Sequence, residues 1–250
     1  MRMIGEKRVV ARYIGESPVA ARYVGEDLIF KNDDGWYIID ELLHHFDYIN
    51  NTGSGHDPLA TMWADLAGEA NASLVGVSFG PRSIVFAGNN NAKVQYSGQN
   101  VGIYTIFNTH LVTARQGQHP RIFGENPYPT LYLQSNHNYS YGLYAQSIDT
   151  FFLPQFIPPM NTVIATAMRW AGPGSPIELF VNGEKVAQLG PTNVYPGNTT
   201  VKYLGANSGT ARTLTGEFFE HLVYSRALTD AEIQHNFQVS KARYSAGDAI

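Results

Sequence analysis

The chain has 250 residues, a formal net charge of −4 and no cysteine. The length suits one large β domain or two small ones. An acidic balance without a basic run argues against nucleic acid and anionic membrane surfaces as partners, and the missing cysteines exclude disulfides and thiolate metal sites.

Only 15% of residues are charged, while 24 glycines and 12% aromatics favour a β-sandwich with wide turns over a helical protein. No apolar run is long enough to span a bilayer, so no membrane insertion is expected. Met1-Arg2-Met3-Ile4-Gly5-Glu6-Lys7-Arg8 lacks the apolar region of a secretory signal. A protein of this kind working outside a cell is expected to leave by lysis or within a particle.

Residues 2 to 30 repeat with a period of ten. Arg2-Met3-Ile4-Gly5-Glu6 is followed by Arg12-Tyr13-Ile14-Gly15-Glu16 and then by Arg22-Tyr23-Val24-Gly25-Glu26. Each unit reads as a short β segment followed by a Gly-Glu turn. Three units give five or six short strands, too few to bury a good core alone. Either the segment packs on its own chain, or it docks on neighbouring subunits through Tyr13, Ile14, Tyr23 and Val24. The polar Lys31-Asn32-Asp33-Asp34-Gly35 marks the boundary, giving a repeat over 1–34 and a second domain over 35–250.

In the second domain, a single helical turn is expected near Leu59 to Leu66. Tyr128-Pro129-Thr130-Leu131-Tyr132 runs on to Asn138-Tyr139-Ser140-Tyr141-Gly142-Leu143-Tyr144, with Tyr139, Tyr141 and Leu143 in strand alternation. Tyr128, Tyr132, Tyr139 and Tyr141 are candidate glycan-binding residues, because sugars stack on rings; Trp170, beside a Gly-Pro-Gly loop, is another. The same face could instead be core or a subunit contact. Thr162 to Trp170 reads as a central strand. Ile177, Leu179 and Val181 alternate into Asn182-Gly183, the preferred two-residue type I′ turn, and Thr200 to Gly205 forms a further strand.

At the end of the chain, Phe219, Leu222 and Tyr224 read as a half-buried strand. Thr229 and Glu232 have the spacing of a capping box, and Leu228 and Ile233 that of a hydrophobic staple. Ile233 and Phe237 give the helix one apolar stripe. The adjacent His44 and His45 would point to opposite faces of a strand and make poor joint ligands. His56 and Asp57 read as organisers of a Gly-rich loop, and the remaining histidines lack zinc spacing.

Several of these segments resemble the laminin-G-like, concanavalin A-type domain. Leu42-Leu43-His44-His45-Phe46-Asp47 looks like its opening strand, and Trp63-Ala64-Asp65-Leu66-Ala67-Gly68 is similar to its Trp-x-Asp-Leu-(Ser/Ala)-Gly segment. Ser83-Ile84-Val85-Phe86-Ala87-Gly88-Asn89-Asn90 is similar to a strand and turn where acidic residues are common. Leu179-Phe180-Val181-Asn182-Gly183 matches a Leu-x-Val-Asn-Gly hairpin, and Gly216 to Ile233 the closing strand and helix. The ten-residue repeat resembles N-terminal segments of bacteriophage and prophage virion proteins, in which Tyr-Ile-Gly units precede such a domain.

The resemblance implies an all-β, antiparallel jelly-roll sandwich with a short C-terminal helix and a small N-terminal β-repeat. It implies calcium as the candidate ion, with Asp47, Asn50 and Asp57 as ligands, against a loop held only by Asx turns. Enzymatic relatives often cleave glycosides with paired carboxylates on one strand. Here Glu217 and Glu220, three apart, are expected on opposite faces; Asp230 and Glu232 belong to the helix start, and Glu178 and Glu184 are expected in solvent. No catalytic residue is assigned. The expected protein is a non-enzymatic virion component, in a homo-oligomer with a trimer as the implied form. It would contact other virion proteins through the repeat and bind host-surface or mucus glycans through the sandwich. The alternatives are a decoration protein that binds no sugar and a glycoside-cleaving enzyme.

Overall fold

In a computed structural model of the chain, the described residues are 3–4, 7–8, 13–14, 17–18, 21–24, 27–31, 36–88, 91–98, 102–124, 129–145, 148–152, 156–192, 201–206 and 212–245. Two compact units divide the chain, 1–38 and 39–250.

Among the described residues, the first unit contains three antiparallel hairpins: β1 (Met3–Ile4) with β2 (Lys7–Arg8), β3 (Tyr13–Ile14) with β4 (Ser17–Pro18), and β5 (Ala21–Val24) with β6 (Asp27–Lys31). Ile4 pairs with Lys7, Ile14 with Ser17 and Val24 with Asp27, so each loop is the two residues Gly-Glu. The repeat is therefore a series of hairpins, one per ten residues.

The second unit opens with β7 (Leu42–Asp47), β8 (Met62–Trp63), β9 (Ala72–Val75), β10 (Ser78–Phe79) and β11 (Ile84–Ala87). It continues with β12 (Lys93–Ser97), β13 (Tyr104–Val112), β14 (Arg121–Phe123), β15 (Thr130–Gln134) and β16 (Ser140–Ala145). The remaining strands are β17 (Ile148–Phe152), β18 (Val163–Trp170), β19 (Ser175–Val181), β20 (Glu184–Thr192), β21 (Val201–Leu204) and β22 (Thr215–Tyr224), before helix α1 (Asp230–Tyr244). One sheet runs β10-β11-β22-β13-β18-β19-β20, with β7 also on β22; the other runs β17-β16-β15-β14-β21-β12-β9-β8. All pairings are antiparallel, as an all-β jelly-roll sandwich requires.

The core between the sheets holds Phe46, Trp63, Phe86, Val94, Phe123, Leu133, Tyr141 and Phe218. The Trp63-to-Gly68 motif has a physical role there. Trp63 is buried and its indole Nε1 donates to the Asp47 carbonyl at 2.9 Å. The Asp65 carboxylate accepts from the backbone N–H groups of His45, Ala67 and Gly68. A Cβ at position 68 would meet both that carboxylate and the Leu43 carbonyl, so glycine is required.

Helix α1 lies against the first sheet. Thr229 and Glu232 close the capping box, and Leu228 and Ile233 are fully buried, as a hydrophobic staple requires. Asn182 and Gly183 turn the β19–β20 hairpin at φ 49° and 83°, the two positive values a type I′ turn demands. A side chain at 183 would strike Gln234 of the helix.

Two expectations need correction. No helical turn forms near Leu59 to Leu66, where Met62 and Trp63 make an edge strand instead. A 3₁₀ turn lies at Ser135–His137. Strand β22 is buried on both faces rather than half-buried, because β7, β11 and β13 flank it while the helix and the opposite sheet cover it.

Candidate functional site

The helix-side sheet ends in a buried polar layer beneath α1. Glu220 accepts from Ser240 at 2.7 Å and from Thr109 at 3.2 Å, and Asn236 donates to Tyr224. The fully buried Asp47 receives Arg243 and Tyr244 from the helix and the Ile49 backbone N–H. Glu217 and Glu220 fall on the same face of β22, not on opposite faces. His110 pairs with Phe218 and Thr109 with Glu220, so Phe219 is the extra residue of a β-bulge. The shared face still makes no cleft, since Glu220 is fully buried and its partners come from the helix and β13. Glu178 is not in solvent either: it holds Arg169 at 2.6 Å and Lys185 at 3.1 Å. Glu232 is tied to Arg226, which with the capping bonds lowers its pKa to about 2.

Each calcium candidate has a structural partner of its own. Asp47 serves the helix, Asn50 Oδ1 accepts from Gly55 N–H at 2.7 Å, and Asp57 Oδ1 accepts from Leu59 N–H at 2.9 Å. Asn51 bonds Asp57 in both directions, and Ala64 N–H closes the loop on the Asn51 carbonyl. His56 bonds both the hydroxyl and the carbonyl of Tyr48. This is a loop held by Asx turns and a histidine clasp. Among the described residues no group of three or more His, Asp or Glu gathers in metal-binding geometry.

The histidines are mostly core residues. His44 meets Asp65 at 2.7 Å on the inner face of β7. On the opposite face His45 is buried, and desolvation lowers its pKa to about 4 despite nearby Asp47. His221 Nδ1 donates to Asn108 Oδ1 at 2.6 Å, leaving Nε2 to accept from the Tyr96 hydroxyl at 2.7 Å. His110 Nε2 meets the Tyr141 hydroxyl at 2.9 Å. Burial takes the pKa of both His110 and His221 down to about 3.

The sequence-predicted aromatics do not come together as one site. Tyr128 lies outside the described residues, as do Asn89 and Asn90. Tyr141 and Trp170 are 0% and 1% exposed, Tyr141 beside His110 and Trp170 against Tyr104. They are framework rings, with no face left for a sugar. Tyr139 lies outside the strand alternation at φ 57°, immediately before β16, and its hydroxyl bonds the Gly117 carbonyl. Tyr132 is on the outer face of its sheet but only 3% exposed, beneath Arg121 at 4.8 Å and edge-on to His119. Tyr13, Ile14, Tyr23 and Val24 all lie in hairpin strands.

The other half of that outer face is open. In β12 the exposure alternates, with Val94 and Tyr96 buried and Lys93, Gln95 and Ser97 accessible. Cross-strand register aligns Met62 with Ser73, Ser73 with Gln95, and Gln95 with Tyr203. These four side chains form one row across β8, β9, β12 and β21, spanning roughly 14 Å at the usual strand spacing. Met62 is 54% exposed, and Ser73, Gln95 and Tyr203 are half-buried. Lys93, one row away, places its ammonium 5.3 Å from the Tyr203 ring centroid. A ring, an amide, a hydroxyl and a cation on a rigid sheet can stack on a sugar and bond its hydroxyls.

The sequence reading missed this row. Its one local signal is the polar–apolar alternation of Lys93-Val94-Gln95-Tyr96-Ser97.

Two antiparallel sheets, a capped terminal helix and an open polar face define a lectin-type sandwich. A profile of the concanavalin A-like lectin/glucanases superfamily, laminin-G type, matches residues 86–234, and the chain belongs to that family. No curated protein matches it by sequence. Similar solved structures include Trypanosoma rangeli sialidase in complex with sialic acid, at TM-score 0.63 and 16% identity, over 83% of this chain and 34% of that one. The receptor-binding domain of botulinum neurotoxin C/D mosaic serotype aligns at TM-score 0.62 and 11% identity, over 80% of this chain and 52% of that one. This chain therefore spans about a third of the sialidase and about half of the toxin domain, and the likeness is one of fold. The fold occurs both in enzymes and in binding domains.

Proposed function

We propose that this chain is a non-enzymatic virion protein of a bacteriophage or phage-like particle. The hairpin repeat anchors it to capsid or tail, and the sandwich binds host-surface or mucus glycans. The observation that carries the binding role is the open row Met62–Ser73–Gln95–Tyr203. Its chemistry suits sugars, and the fold is shared with a sialic-acid-bound sialidase and a toxin receptor-binding domain.

The anchoring role draws on the repeat. Among the described residues its strands pair only within their own hairpins, and an isolated two-stranded hairpin is marginal in water. Further copies of the chain, three in a closed assembly, and other virion proteins would complete those edges. A glycan array probed with the full chain tests binding, with Tyr203→Ala expected to lose the signal. A chain beginning at Trp36 should fail to enter particles; normal incorporation would overturn the anchoring role.

A further inference from the structure

We infer that the open face selects anionic glycans, chains bearing carboxylate or sulfate, with Lys93 reading the charge and Tyr203 providing the stacking platform. The inference rests on the glycan-binding reading and narrows it to one ligand class.

The argument is the distribution of charge between the two sheets. The chain carries 21 acidic and 17 basic residues, yet β8, β9, β12, β14, β15, β16 and β21 contain no Asp or Glu. Their outer face carries Lys93 and Arg121, while Lys202, opposite Tyr96, is buried on the inner face. The helix-side sheet holds Asp47, Glu178, Glu184, Glu217 and Glu220. An acidic chain has thus kept carboxylates off nearly all of one sheet. Lys93 sits beside the stacking ring, and Arg121 lies on the same face over Tyr132. The Arg121 backbone N–H bonds the Arg212 carbonyl, placing a second arginine next to the first. His119 is held below its ordinary pKa by burial and then by Arg212, Arg121 and His137, as a locally positive field requires. A neutral sugar gains nothing from this field, whereas an anionic one is attracted along the whole face. At Lys93 it can also accept a charge-assisted hydrogen bond.

The test measures binding of the full chain to dextran, hyaluronan and dextran sulfate at low and high salt. Dextran is neutral, hyaluronan carries carboxylates and dextran sulfate carries sulfates. One or both anionic polymers should bind about tenfold more tightly than dextran, with the preference fading as salt rises. The tighter of the two identifies the acidic group. Lys93→Ala should abolish the preference, Lys93→Arg should retain it, and Lys185→Ala on the other sheet should leave it unchanged. Equal binding of all three polymers would overturn the inference while keeping the glycan reading. An equal loss in Lys185→Ala, or no loss in Lys93→Ala, would reduce the effect to bulk charge and also overturn it. Absence of binding to any of these polymers and to a neutral glycan panel would overturn both.

Discussion

The two sheets of the sandwich are built alike and used differently. On the helix-side sheet, β13 is buried along its whole length and β22 along nearly all of it, and buried polar groups meet partners from α1. On the other sheet β12 keeps the strict alternation of a strand with one free face. Where α1 covers its sheet, polar groups must pair internally, so Asp47 and Glu220 become structural. The face left open at β8, β9, β12 and β21 carries the polar row proposed to meet a glycan.

The contrast can be broken most forcefully under the helix. Asp47→Ala would strand Arg243 and Tyr244 without their buried carboxylate, and unfolding in urea should show a loss of about 3–5 kcal/mol. A loss below 1 kcal/mol would mean that the helix does not depend on that layer.

Acid should act through the covered histidines. His45 stays neutral in the folded chain down to about pH 4, and His110 and His221 to about pH 3. Unfolded, each takes up a proton near pH 6.5. The unfolded state then binds more protons in between, so stability falls as pH drops below 6.5. Three such groups amount to roughly 4 kcal/mol between pH 7 and 5.5. Urea titrations at the two pH values check this, and equal midpoints would contradict the burial of these rings.

Smaller effects come from the turn and the cap. Gly183→Ala, at φ 83° and facing Gln234, should cost about 1–2 kcal/mol. Thr229→Ala, which opens the capping box, should cost about 1 kcal/mol. Both are readable as shifts in melting temperature. Tyr203→Ala on the open face should change stability by less than about 0.5 kcal/mol while weakening glycan binding about tenfold. That separation of stability from binding would sharpen the comparison; a large stability loss would place Tyr203 in the framework instead.

Much of the fold could be read from the chain because its determinants are local. The Asn182-Gly183 turn, the Thr229–Glu232 box and the Gly-Glu hairpin loops each lie within a few residues. The candidate site could not be read this way. Met62, Ser73, Gln95 and Tyr203 are scattered over more than half of the chain and become neighbours only through register. The tyrosine-rich segment misled for a related reason. Tyr139 falls outside the strand, and the alternation of Tyr141 and Leu143 faces inward, which periodicity alone cannot decide. The bulge at Phe219, which brings Glu217 and Glu220 to one face, likewise leaves no local mark.

Hydrogen exchange of the full chain, with and without the glycan that binds it best, tests the central claim most directly. Binding at the open face predicts slowed exchange in β9, β12 and β21, with β7, β18 and α1 unchanged. Protection confined to the helix side or to the 50–60 loop, with β12 and β21 unaffected, would contradict it.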